Sequence, residues 1–195
     1  MLMLGVKMNK IKYFKKEISY IKDESKRRDI EVLINLLPDY FFNIAMGIDE
    51  NKYPKYGLTN NGMVKYTKVC VRLAIDMFDT VNNFSDNEKD LIIMAILMHD
   101  GLINGKIDSG NTKIEHPLLV SELIMKNASK LEMDIDDVRK MCMMIESHMG
   151  KWNKSKYCKI ELPLPMNELQ RFVHRCDYLA SRNYLNVRFN KLDII

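Results

Sequence analysis

Apolar residues recur at helical spacing along most of the chain. Ile11, Phe14, Ile18 and Ile21, then Ile30, Leu33, Ile34 and Leu37, stand mainly three or four residues apart. They predict one long helix or two from about Asn9 to Leu37, ended by Pro38. The aromatic stretch Asp39 to Ala45 is short and suited to packing across that helical region. Gly47 to Gly62 has no apolar period and is rich in Asp, Asn, Gly, Pro and Tyr, so it predicts a loop, and long loops in compact domains often border sites. Met63 to Val81 returns to helical spacing. Val64, Val71, Ala74, Ile75 and Phe78 form its stripe, with Lys65, Lys68, Arg72 and Asp79 outside it.

The next helix differs in kind. Ser85-Asp86-Asn87-Glu88 has the form of a capping box, and from there to Met98 apolar residues face almost every side, which predicts a buried helix. It ends in the adjacent pair His99-Asp100. Burying an imidazole and a carboxylate without partners would cost roughly several kcal/mol, so the pair requires a hydrogen bond, an opposite charge or a metal from elsewhere in the chain. Gly101 to Thr112 is irregular. Pro117 fits the first turn of a helix running from His116 to about Lys130. Another starts at Asp134 to Asp137 and runs to His148, with Gly150 as its stop. Trp152 to Pro165 predicts a polar loop, and Asn167 opens a last helix through Phe172, Cys176 and Leu179.

No stretch alternates like a strand for more than a few residues, and internal repeats are absent. The pattern predicts an all-α fold, a single compact helical domain of about seven to nine helices. Residues 1–45 read as an N-terminal helical extension packed on a core of residues 46–195, together one folding unit. With 195 residues, 47% of them hydrophobic, the chain is long enough for such a core, and its fifteen methionines fall at helical apolar positions and read as part of it.

Charge and cysteine usage narrow the classes. The net charge of +4 is local, since Lys7 to Glu17 carries five lysines against one glutamate. Such a run reads as a solvated helix face, and with few aromatics interleaved it does not indicate an obligate nucleic-acid partner. Cys70, Cys142, Cys158 and Cys176 show neither a C-x-x-C pair nor zinc-finger spacing, which predicts reduced thiols in a cytoplasmic protein, Cys142 and Cys176 packing as small hydrophobes. The first residues are too short an apolar stretch for a secretory signal, and no run approaches the ~20 apolar residues of a membrane span.

The four histidines are His99, His116, His148 and His174, the last one turn before Asp177. Imidazole suits both proton transfer near neutral pH and divalent-metal ligation, and aspartate adds a hard oxygen. Each histidine also has an ordinary reading: His116 as a helix cap, His148 as a cation at a helix C-terminus, His174 as a supporting or surface group. Trp152 suits stacking on a base or closing the core.

Four ordered segments, MHDG at 98–101, EHPLL at 115–119, SHMGKW at 147–152 and VHRCDYLASR at 173–182, resemble the HD-domain superfamily of metal-dependent phosphohydrolases, over roughly Tyr53 to Arg182. The resemblance implies that His99, Asp100 and Asp177 ligate a divalent cation. It places His116 and His148 near the substrate phosphate or a second metal, and with Asp100 gives them the catalytic roles. Lys106, Lys151 and Arg182 become candidates to meet phosphate. The cation could be manganese, iron, nickel, magnesium or zinc, and the substrate a small phosphorylated molecule, a nucleotide above others. One departure stands out. Where the superfamily has its first ligand histidine, on the helix before the His-Asp helix, this chain has Tyr66, and a phenol with a pKa of about 10 is a poor ligand at neutral pH. The alternative implied is a degenerate, non-catalytic HD domain that binds a nucleotide or protein partner.

Overall fold

A computed structural model describes residues 8–81 and 83–190, and among them the architecture is all-α. Seven helices form it: α1 (Lys15–Ile18), α2 (Glu24–Leu36), α3 (Gly62–Val81), α4 (Asp86–Met98), α5 (His116–Lys126), α6 (Ile135–Glu146) and α7 (Glu168–Ala180). Short 3-10 turns join several of them. No helix among the described residues is long and apolar enough to cross a membrane.

α4 lies at the centre. Every residue from Leu91 to Met98 is at most 1% exposed, and α2, α3, α6 and α7 pack around it. Its start is the capping box that the sequence predicts, with Ser85 and Glu88 satisfying each other's backbone N–H groups. The other boundaries also follow local chemistry. Asp134 caps α6, Asn167 caps α7 in a second capping box with Gln170, and Pro117 sits in the first turn of α5.

The N-terminal region resolves into two helices, α1 and α2, rather than one. The break between them is held from α4: buried Asp90 accepts the backbone N–H groups of Lys22 at 2.8 Å and Asp23 at 2.9 Å. Buried Asp29 on α2 does the same for Glu132 and Met133, both at 2.8 Å, at the start of the α6 region. Each carboxylate thereby gains the donors that its burial requires. Phe14, Phe41 and Phe42 pack together beside these helices, and one apolar cluster continues from Phe14 to Ala180.

Two expectations need correction. Lys68 does not lie outside the α3 stripe on the surface. It is 4% exposed, and its Nζ meets Glu17 Oε2 at 3.0 Å, where Glu17 is itself fully buried. The basic N-terminal run is likewise only partly solvated, since Lys10 is buried, donating to the carbonyl of Leu37 and pairing with Asp39 at 2.8 Å. A helical stripe counts apolar residues and misses a cation whose partner lies 51 positions away. Lys7 falls outside the described residues. Secondly, 153–162 is not simply loop. It holds a hairpin of β1 (Lys154–Ser155) and β2 (Cys158–Glu161), closed by Asn153 and Leu162 through reciprocal bonds, too short for an alternating pattern to register. Cys70, Cys142 and Cys176 are buried free thiols, and Cys158 on the hairpin is half-buried and free.

The buried ion pair between α1 and α3 is a stringent test of this packing. Lys68→Met leaves the buried Glu17 carboxylate without this counter-ion and is expected to lower stability by about 3–5 kcal/mol, whereas Glu17→Met with Lys68→Met should recover most of the loss. Urea denaturation followed by far-ultraviolet circular dichroism measures both.

Candidate metal centre

His99 closes α4, its N–H bonded to Ala95 O at 2.9 Å, and Asp100 follows it into the turn. His116 opens α5, His148 lies just beyond the end of α6, and Asp177 is in the last turn of α7. Four elements thus bring five side chains together. Asp100 is central: its Oδ1 lies 2.9 Å from His116 Nε2 and 3.5 Å from His148 Nε2, and its Oδ2 lies 3.2 Å from His99 Nε2. His99 Nε2 is also 3.3 Å from Asp177 Oδ1, and the Nε2 atoms of His116 and His148 are 3.3 Å apart. The side chains of His99, His116, His148 and Asp100 are 1–7% exposed, and that of Asp177, at 18%, forms the open edge.

The three imidazoles are oriented alike. His99 Nδ1 faces Ile96 O at 2.6 Å, His116 Nδ1 faces Lys113 O at 2.6 Å, and His148 Nδ1 faces Ile145 O at 2.7 Å. A carbonyl can only accept, so each Nδ1 carries a proton and each neutral ring keeps its lone pair on the Nε2 that points into the cluster. Lone pairs and carboxylate oxygens then face one another at close range, which is repulsive unless a positive charge lies among them. His99 Nε2 is buried with no partner in hydrogen-bonding geometry, although two carboxylate oxygens are near it.

A cation satisfies that arrangement. One donor atom each from His99, Asp100, His148 and Asp177 lies within 4.8 Å of the others, and this buried His/Asp group could hold a metal ion. Nitrogen and oxygen donors that bond a metal at about 2.0–2.2 Å stand about 3.3 Å apart in a tetrahedron, close to the separations around His99. Without a metal, a proton takes the part of the cation. Burial by itself would push His99 down, but Asp100 and then Asp177 outweigh it and hold the imidazole well above its ordinary 6.5. Burial would likewise raise Asp100, but His99, His116 and His148 hold its carboxyl well below 3.8.

Tyr66 faces this cluster. It is 2% exposed, its ring centroid is 6.0 Å from that of His99, and its hydroxyl donates to Asp177, reaching both the carboxylate Oδ1 and, at 2.9 Å, the backbone carbonyl. Burial, with Asp177 second, pushes the phenol well above its ordinary 10, so it is a neutral donor. Its position on α3 is readable from the sequence, but its hydrogen bond to Asp177, 111 positions away, is not. The resemblance gives His148 a role near phosphate or a second metal, and the structure brings its Nε2 close to the His99, Asp100 and Asp177 donors. His174 supports the cluster from behind: its Nδ1 donates to His148 O at 2.6 Å, and its ring packs on Gly150. Gly150 has φ +53°, and a Cβ there would stand 2.2 Å from the His174 ring, so both backbone and space require glycine.

The three candidate phosphate contacts lie apart from the donor set. Lys106 is exposed and pairs with Glu122 at 2.9 Å. Lys151 lies 4.7 Å over the ring of Trp152, and Arg182 lies 4.1 Å over Tyr178, its Nε donating to Tyr178 O at 3.0 Å. Trp152, 42% exposed, stacks on Tyr178 at 5.4 Å rather than closing the core. A cleft of about 560 Å³ runs between the hairpin and residues 112–115, touching Met149, Trp152 and Glu115 beside His148 and His116. Another, of about 510 Å³, lies between the 44–53 and 103–112 segments, so the loop at 47–62 does line a cleft. No protein-family model matches the chain, and comparisons with curated proteins and with solved structures gave no match.

The charges give the metal-free protein a defined pH window. The raised His99 stabilises the fold fully below pH 6.5, and this is lost as pH rises through its folded value. The lowered Asp100 contributes fully above 3.8, and this is lost as pH falls through its own. Stability of chelator-treated protein, measured by urea titration at a series of pH values, is therefore expected to be level between about 4 and 6.5 and to fall on both sides. His99→Gln should flatten the alkaline limb. Metal uptake must displace the proton on His99 Nε2, so affinity should rise with pH over the range in which wild-type stability declines.

Proposed function

We propose that the cluster holds a divalent cation and that the protein is an HD-type phosphohydrolase, cleaving a phosphoester or phosphoanhydride of a small molecule. A nucleotide is the substrate class that the resemblance implies. The observation that supports this best is the convergence of the His99 and His148 Nε2 atoms with two carboxylates at a buried point with one open edge, His116 Nε2 lying beside Asp100. In this reading His99, Asp100, His148 and Asp177 hold the ion. A bound divalent cation would supply an acidified water and polarise a phosphoryl oxygen. His116, 2.9 Å from Asp100, manages protons or meets phosphate with Asp100 orienting it. Lys151 over Trp152, Arg182 over Tyr178 and Lys106 in its pair with Glu122 are the proposed phosphate contacts. The mixed nitrogen and oxygen donors do not select among manganese, iron, nickel, magnesium and zinc, and no cysteine belongs to the group.

A second reading is a binding module without turnover, favoured by Tyr66, a neutral hydrogen-bond donor to Asp177 where the resemblance implies a ligand histidine. Metal content separates the two. Elemental mass spectrometry of protein purified without chelator or affinity-tag metal is expected to find about one equivalent of transition metal, or to find it after incubation with manganese or nickel. Asp177→Ala should lose it, with affinity and hydrolysis of phosphomonoesters or nucleotides falling by more than the roughly 100-fold that loss of an outer-shell partner costs. Wild-type protein that takes up no metal under either condition overturns the hydrolase reading in favour of the binding module.

A further inference from the structure

Tyr66 stands where the resemblance leads one to expect a ligand, yet its geometry is that of a hydrogen-bond donor. The hydroxyl has a single proton and donates to Asp177, to the carboxylate Oδ1 and, at 2.9 Å, the main-chain carbonyl, with the buried Cys70 thiol also beside it on α3. The contact therefore fixes the backbone of α7 and the rotamer of Asp177 together. Oδ1 is also the oxygen that faces His99 Nε2 at 3.3 Å. Of the four candidate donors, Asp177 is the most exposed, at 18%, and so the one whose carboxylate could otherwise turn toward water. Tyr66 itself is immobilised by burial on α3, which packs against both α4 and α7. A rigid donor thus holds the least constrained carboxylate toward the imidazole.

We propose that Tyr66 is a positioning residue, its phenol O–H holding Asp177 in the ligating rotamer, so that the cation site is completed by His148 and takes no ligand from α3. The inference rests on the metal-dependent reading above. It turns the departure at position 66 from a lost ligand into a change of role: the side chain acts on the metal through Asp177, as hydrogen-bonded partners of ligands commonly do.

The test uses the full chain and Mn²⁺ as probe, in competition with a fluorescent chelator. Tyr66→Phe removes the donor and keeps the ring, and is expected to weaken Mn²⁺ binding by about 10–100-fold, the melting temperature of the metal-free protein falling by only a few degrees. In an Asp177→Ala background, titrated at the higher Mn²⁺ concentrations that its residual affinity requires, the same substitution should change affinity no further, because the effect passes through Asp177, whereas a purely structural role would add to it. Fe³⁺-loaded wild-type protein should lack the visible charge-transfer band that a phenolate ligand gives. Equal or tighter Mn²⁺ binding by Tyr66→Phe, or a ferric phenolate band, overturns the proposal while leaving the metal site standing. Wild-type protein that binds no Mn²⁺ removes the metal reading, and the proposal with it. Should Tyr66→Phe not fold, the ferric spectrum of the wild-type protein still decides.

Discussion

The constraint on which the rest depends is the burial of α4 beyond its first turn. From Leu91 to Met98 it presents apolar side chains in all directions, so other elements must cover it on every side, and α2, α3, α6 and α7 do. Its polar demands then fall at its ends. Asp90, near the start, receives two backbone N–H groups from the turn between α1 and α2. His99 and Asp100, at the finish, receive His116, His148 and Asp177 from the elements that the packing delivers there. The same burial that stabilises the helix excludes water from its C-terminal end, where each charge is felt strongly.

That end has two ways of being neutral. Asp100 and Asp177 offer two negative charges to three imidazoles whose Nδ1 protons are committed to backbone carbonyls. A proton on His99 compensates part of this charge, and a divalent cation would compensate more of it while using the lone pairs that the Nδ1 contacts leave available. Proton and metal compete for one nitrogen. The histidine orientation is set by three local carbonyl contacts, each three residues back along the chain, so the donor arrangement exists before any cation arrives and little ordering remains to oppose binding.

Polar groups elsewhere follow the same rule of pairing inside the core. Asp29 and Asp90 accept backbone donors, and Glu17 meets Lys68, though Glu17 Oε1 is left without a hydrogen-bond partner. These contacts join residues before Leu37 to α3, α4 and the start of α6. The N-terminal helices are thereby tied to the rest through directional bonds as well as apolar area, and such bonds specify where a segment docks more sharply than area can.

Much of this was legible in one dimension because the signals are local. Helical periodicity, the capping box at Ser85, Asp134 and Asn167 as caps, and Pro117 in a first turn all act within a few residues, and they determined the all-α class and most helix boundaries. The solvent-proof run ending in His99-Asp100 determined that partners had to exist. What only the tertiary structure decided was which atoms meet. Lys68 became buried because Glu17 lies across the fold, the β1–β2 hairpin formed in a stretch too short to alternate visibly, and His148 joined His99 through the packing of α4 on α6. Tyr66 found Asp177 through the packing of α3 on α7. Local chemistry fixes where an element starts and stops, but distances between side chains far apart in sequence are set by how buried surfaces fit together, and no spacing along the chain encodes that.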